Sequence, residues 1–247
     1  MKAIVKIFYL IYQICIALPV ILAATIMTAV TTIIGGILGN SDFWGYYPGM
    51  IWSRIICTVL LLPVKVEGKE NIQTGRPYII VANHQSAMDI FLIYGYLGIP
   101  FKWLMKKELR KIPLVGAACS KAGFIYIDRA SRSGSRDSIA AAAEVLKKGM
   151  SMAIFPEGTR SKDGNVGKFK KGAFLLAQEL GIELLPVTIN GAYDVMSKQA
   201  LKVTWHPMEL TVHHPVAPVT AEASDCNEQV RLLSERTRDA ICSAKKS

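Results

Sequence analysis

The hydrophobic pattern divides the chain into two unequal parts. From Ile7 to Asn40 no residue is charged, and a second apolar stretch from Trp44 to Val64 carries only Arg54. Pro19 interrupts the first run, and Gly35-Gly36 with Gly39-Asn40 end it. Two apolar helices joined by a Gly/Asn/Asp turn read as a hairpin in or on a membrane. Buried core helices are the blander reading, but such helices are rarely apolar all round over this length. A signal peptide has a shorter apolar core followed by a small-residue cleavage site, so the segment is expected to be retained.

Beyond Lys65 the pattern changes to short apolar strands alternating with amphipathic helices. Tyr78–Ala82, Phe101–Met105, Phe124–Ile127, Met152–Phe155, Leu184–Ile189, Val203–His206 and Leu210–His213 read as strands. Ala87–Leu97, Ser138–Lys148, Gly172–Leu180 and Ala221–Ala244 read as helices, with Gly149 and Gly181 as stops for the second and third. This alternation predicts an α/β domain over residues 65–247: a mixed, largely parallel sheet flanked by helices. It would follow an N-terminal two-helix membrane-binding hairpin in residues 1–64.

Charge narrows the partners. With 51% hydrophobic and 19% charged residues, the chain of 247 is too polar for a bundle of membrane spans. A net charge of +10 favours nucleic acid, an acidic bilayer surface or phosphorylated small molecules. A nucleic-acid binder would interleave basic residues with exposed aromatics or carry a known motif. The sequence has neither, so no nucleic-acid partner is expected. The five cysteines are scattered without a C-x-x-C pair, which argues against a disulfide framework and a zinc site and fits a reducing compartment.

Three strings carry candidate chemistry. Asn83-His84-Gln85-Ser86-Ala87-Met88-Asp89 directly follows a predicted buried strand, where functional groups of open α/β sheets gather. The spacing lets Asp89 reach back to one imidazole nitrogen of His84 while the other faces a substrate, like the histidine–aspartate half of a hydrolytic triad. A helix-capping Asp beside a surface His would give the same letters. Ile154-Phe155-Pro156-Glu157-Gly158-Thr159-Arg160-Ser161 also follows a strand; Pro156 and Gly158 force a turn, and Arg160 offers a fork for phosphate oxygens. Glu157 would accept a hydroxyl hydrogen bond or hold Arg160. Gly123–Arg129 places Arg129 just past a strand end, beside Arg132 and Arg136, which suits an anionic headgroup.

Together these strings resemble the motifs of the glycerolipid acyltransferases, most closely the 1-acyl-glycerol-3-phosphate (lysophosphatidic acid) acyltransferases. NHQSAMD is similar to the family's first motif, H-x-x-x-x-D, Gly123–Arg129 to its second and FPEGTRS to its third. Glu183–Ile189, centred on Pro186, is similar to the fourth. The resemblance covers roughly Val64 to Asn190 in the family's order. It departs at Ala87, where many members carry an aromatic residue. It implies acyl transfer from acyl-CoA or acyl-carrier protein to the sn-2 hydroxyl of lysophosphatidate, giving phosphatidic acid. His84 would act as general base, Asp89 would hold its tautomer, and no acyl-enzyme, metal or cofactor would be needed. Glu157, Gly158 and Arg160 would bind phosphate and glycerol with Arg129 assisting, and Lys106 is a candidate oxyanion donor. The competing readings are a sister enzyme acting on glycerol-3-phosphate or another lysophospholipid, and a non-catalytic binder of acidic lipid.

Lys2 and Lys6 precede the hairpin and Lys65 and Lys69 follow it, whereas the loop from Gly39 to Pro48 has only Asp42. The positive-inside rule therefore puts both ends at the cytoplasmic face of the membrane. A double span and a pair dipping into one leaflet both fit. The second is favoured because Arg54 would otherwise lie near the bilayer centre; in one leaflet it could snorkel to headgroup phosphates.

Overall fold

The computed structural model describes residues 3–128, 132–200, 202–219 and 225–246. Its frame is a seven-stranded sheet in the order β1-β7-β6-β2-β5-β3-β4. The strands are β1 (Val64–Glu67), β2 (Ile79–Ala82), β3 (Phe101–Lys106), β4 (Ile125–Ile127), β5 (Ser151–Ile154), β6 (Leu184–Asn190) and β7 (Met208–Val212). Every pairing is parallel except β6 with β7. The helices are α1 (Ala3–Tyr12), α2 (Leu18–Ile37), α3 (Ser41–Val59), α4 (Met88–Tyr96), α5 (Val115–Lys121), α6 (Arg132–Lys147), α7 (Gly172–Leu180), α8 (Ala192–Val195) and α9 (Cys226–Ser243). This is the mixed, largely parallel α/β sheet expected from the alternation.

Alternation within β2 explains the layers. Ile80 and Ala82 point into a core shared with α3 and α4, whereas Ile79 and Val81 point into one built by α6, α7 and α9. β2 and β6 are buried along their full length, as parallel strands covered on both faces must be. Because β2 and β5 are parallel neighbours, the loops that leave their carboxyl ends emerge side by side.

The apolar N-terminal segments form the expected two helical arms. α1 and α2 run on through a π turn at Gln13–Ala17, so that Ile4–Ile37 is the one described helix long and apolar enough to cross a membrane. Its surface exposes Ile7, Phe8, Ile14, Leu22, Met27 and Ile34. The second arm, α3, is seated on the sheet domain. Tyr46, Ile56 and Cys57 belong to the same core as β2 and α4. Gly45 and Gly49, one turn apart on α3, allow this approach: a methyl group on Gly49 would overlap the Tyr94 ring, and one on Gly45 would sit 3.0 Å from Ala122. The Tyr94 hydroxyl donates to the Gly45 carbonyl. At the tip of the hairpin Asp42 pairs with Lys102 of β3 at 2.8 Å.

Arg54, exposed on α3, donates its Nε–H to the Gly95 carbonyl at 2.7 Å, and its guanidinium lies 5.9 Å above the Tyr96 ring. One expectation is corrected here. Val203–His206 is not a strand but part of an irregular strap. Its backbone is tied by Thr204 N–H to the Val195 carbonyl at 2.8 Å and by the Val203 carbonyl accepting from Gln13 Nε2 at 3.0 Å.

Candidate active site

His84 leaves the end of β2 and Asp89 lies in the first turn of α4. The Asp89 carboxylate is fully buried, and its Oδ2 lies 2.8 Å from His84 Nδ1. The same oxygen accepts the backbone N–H groups of Gln85 at 2.7 Å and Ser86 at 2.8 Å. Asp89 does not cap α4, whose N-cap residue is Ala87; one carboxylate oxygen closes the loop before the helix and meets the ring. A carboxylate can only accept, so Nδ1 carries the proton and Nε2 is left with its lone pair. The imidazole is stacked on Phe155, with centroids 4.0 Å apart and planes 11° apart, and Phe155 is stacked in turn on Trp103 at 5.6 Å. With 16% of its side chain exposed, His84 opens into the cleft by one edge only.

Asn83 fastens the loop to the sheet. Its amide donates to the Ile189 carbonyl at 2.9 Å and accepts from Ile189 N–H at 2.8 Å, extending the β2–β6 ladder by one side chain. Ser86 Oγ donates to the Met196 carbonyl at 2.6 Å, and Gln85 Nε2 donates to the Gly164 carbonyl.

The second loop leaves β5 and turns as Pro156 and Gly158 require. Gly158 has φ +78°, and its N–H closes on the Phe155 carbonyl at 3.0 Å. Glu157 does not hold Arg160, nor is it among the residues lining the cleft. Its Oε1 accepts His84 N–H at 2.9 Å and its Oε2 accepts Gly167 N–H at 3.1 Å. Burial raises the Glu157 pKa, opposed by those two backbone donors. With Ser161 N–H donating to the His84 carbonyl at 2.8 Å, Glu157 binds the two loops into one unit.

Arg160 and His84 share a cleft of about 370 Å³ that Trp103, Met105, Lys106 and Gly158 also line. No carboxylate among the described residues pairs with the half-buried Arg160 guanidinium. Lys106 stands at the cleft, exposed, at the end of β3. Arg129 lies outside the described residues, as does the side chain of Arg132; Arg136 is exposed on α6. Sequence reasoning missed Lys198, which lines the cleft and donates from Nζ to the Arg160 carbonyl at 3.3 Å. It belongs to no recognisable string. Behind the cleft, sharing Leu104, Phe155 and Gly158 with it, is a cavity of about 230 Å³ walled mainly by Ile127, Ile139, Ala142 and Leu176.

The arrangement offers a base with a fixed tautomer, an unpaired guanidinium for an anion, and an apolar recess beside them. The chain is similar to known acyltransferases. The chloroplastic 1-acyl-sn-glycerol-3-phosphate acyltransferase LPAT1 of Arabidopsis thaliana is 36% identical over 174 residues, which is 70% of this chain and 48% of that protein. The 1-acyl-sn-glycerol-3-phosphate acyltransferase of Borreliella burgdorferi is 36% identical over 140 residues, 57% of this chain and 56% of that one. The chain thus spans about half the length of the curated relatives it matches. The crystal structure of the 1-acyl-sn-glycerophosphate (LPA) acyltransferase PlsC from Thermotoga maritima is similar with a TM-score of 0.77 at 29% identity, covering 100% of both chains. Residues 63–190, which include both loops and six of the seven strands, match the family model described as Acyltransferase. The chain belongs to the acyltransferase family.

Proposed function

We propose that this chain is an O-acyltransferase that moves an acyl group from acyl-CoA or acyl-carrier protein to the sn-2 hydroxyl of 1-acyl-glycerol-3-phosphate, giving phosphatidic acid. The observation that carries the reading is the shared cleft: His84, with Nδ1 on Asp89, and Arg160, whose guanidinium pairs with no carboxylate among the described residues, line one space. Nε2 takes the hydroxyl proton as the oxygen attacks the thioester carbonyl, and Asp89 stabilises the imidazolium that forms. When the tetrahedral intermediate collapses, the C–S bond breaks and His84 returns the proton to the leaving thiolate. Arg160 holds the acceptor phosphate, with Gly158 letting the backbone come close and Arg129 assisting. In this reading Lys106, which also lines the cleft, meets the developing oxyanion. The reaction needs proton removal and positioning, and in this reading no metal or cofactor beyond the acyl donor.

The matched relatives, named as 1-acyl-sn-glycerol-3-phosphate acyltransferases, favour lysophosphatidate over glycerol-3-phosphate as the acceptor. A non-catalytic lipid binder would have no use for a buried carboxylate that fixes an imidazole tautomer. An assay of purified protein against acyl-CoA and acyl-carrier-protein thioesters decides the matter. Phosphatidic acid should form from lysophosphatidate, with glycerol-3-phosphate turned over poorly. Absence of product from lysophosphatidate with every thioester would overturn the reading.

We also read the hairpin as lying in one leaflet of the membrane, with both ends at the cytoplasmic face. The Asp42–Lys102 pair supports this, because its tip and the catalytic domain touch, and a bilayer core about 30 Å thick cannot lie between them. The test uses Asn40→Cys or Ser41→Cys in sealed vesicles, with the exposed Cys15 and Cys226 replaced by Ser. An impermeant thiol reagent should label the new cysteine from the cytoplasmic side only. Labelling from the far side would mean that the loop crosses.

A further inference from the structure

α1 and the strap around Lys202 enclose a groove of about 220 Å³, remote in sequence from both catalytic loops. Direct bonds close it at the base. Gln13 Nε2 donates to the Val203 carbonyl at 3.0 Å, Tyr9 Oη to the Leu60 carbonyl at 2.6 Å, and Trp205 Nε1 to the Leu61 carbonyl at 2.8 Å. Lys6 lines the groove from α1 and Lys202 from the strap. Both are exposed, and neither ammonium pairs with a carboxylate among the described residues. Among the described residues no carboxylate lines the groove, and Lys6 and Lys202 are its charged members.

Its position relative to the apolar surface is equally specific. Lys6 is the last charged residue before the uncharged run that begins at Ile7. Ile7 and Leu10 continue the groove onto the exposed apolar flank of α1. Trp205 is 44% exposed with its indole N–H already bonded to backbone, the amphipathic disposition favoured at a membrane–water boundary. A cationic pair beside an apolar flank with a Trp at the boundary matches a phosphodiester that carries acyl chains. It matches a free phosphate poorly, because nothing buried grips the oxygens.

We propose that this groove binds the headgroup phosphate of an anionic membrane phospholipid that is not a substrate, between Lys6 and Lys202, with its chains along Ile7 and Leu10. The site does not depend on the acyl-transfer reading. It lies on the strap that also carries Lys198 into the active cleft and offers the Met196 carbonyl to Ser86.

Native mass spectrometry of the full chain in neutral detergent, titrated with phosphatidylglycerol or phosphatidylcholine, tests it. The wild type should retain one phosphatidylglycerol in preference to phosphatidylcholine. A lysine near an anionic lipid surface contributes roughly fivefold in affinity, so Lys6→Gln with Lys202→Gln should lose on the order of 30-fold. Lys6→Arg with Lys202→Arg should keep the lipid, as should Lys147→Gln with Lys148→Gln, which removes equal charge at the C-terminal end of α6. Lys202→Glu alone, at an exposed strap position, should reproduce the loss in a protein whose circular dichroism is unchanged. Wild-type retention by the Lys6/Lys202 variant would overturn the proposal. So would an equal loss from the α6 pair, which would mean diffuse charge, or loss of the lipid in Arg160→Ala, which would place it in the active cleft.

Discussion

His84→Ala is expected to lower kcat/KM for acyl transfer by about 100- to 10,000-fold, the usual contribution of a positioned general base. The ring lies over Phe155 and contributes one edge to the cleft, so its loss should leave the protein folded and membrane-bound. Asp89→Asn should fall in the same range for a different reason. The amide keeps an oxygen for the Gln85 and Ser86 N–H groups but no longer stabilises the imidazolium. Steady-state rates on vesicles, with circular dichroism and vesicle pelleting as controls, give the answer. If His84→Ala keeps more than about a tenth of the wild-type rate, the base is another group.

Arg160→Ala should act on the acceptor alone. Loss of a charge-assisted hydrogen bond costs roughly 1.5–3 kcal/mol, which predicts a rise of about 10- to 150-fold in the KM for lysophosphatidate. The thioester KM should change little. Arg160→Lys should recover part of the loss, since an ammonium restores the charge without the planar fork. A rise confined to the thioester KM would assign Arg160 to the donor and leave the acceptor phosphate without its proposed partner.

The sheet was legible because its central strands are short runs bounded by turn residues, and β2 and β5 deliver their loops where such strands end. The spacing allowed the His84–Asp89 contact without requiring it, and the other strings beside it gave it weight. Glu157 was not: nothing in FPEGTRS tells that its carboxylate faces the backbone of His84 and Gly167 rather than Arg160. β1 is only the four residues Val64–Glu67, begun at the last residue of the apolar run, and α5, with its small residues Gly116, Ala117 and Ala118, has no clear periodicity. The most instructive gap is α3. Apolar side chains read the same whether they meet lipid or protein, so composition could not reveal the docking onto α4. Gly45 and Gly49 were the available signal, small residues one helical turn apart on the face that meets Tyr94 and Ala122.

The cross-bonds between the two loops have a consequence for which hydroxyl reacts. His84 N–H is held by Glu157, and the His84 carbonyl is held by Ser161, one residue beyond Arg160. These bonds fix the span between the backbones of His84 and Arg160, from which the imidazole and the guanidinium project. Under the proposed reading the loops act as a ruler laid along the glycerol, anchored at the phosphate and graduated at the base. A hydroxyl one carbon further from the phosphate would overshoot Nε2. Positional selectivity would then be written in the backbone, unaffected by changes to the apolar recess that alter which acyl chains are accepted.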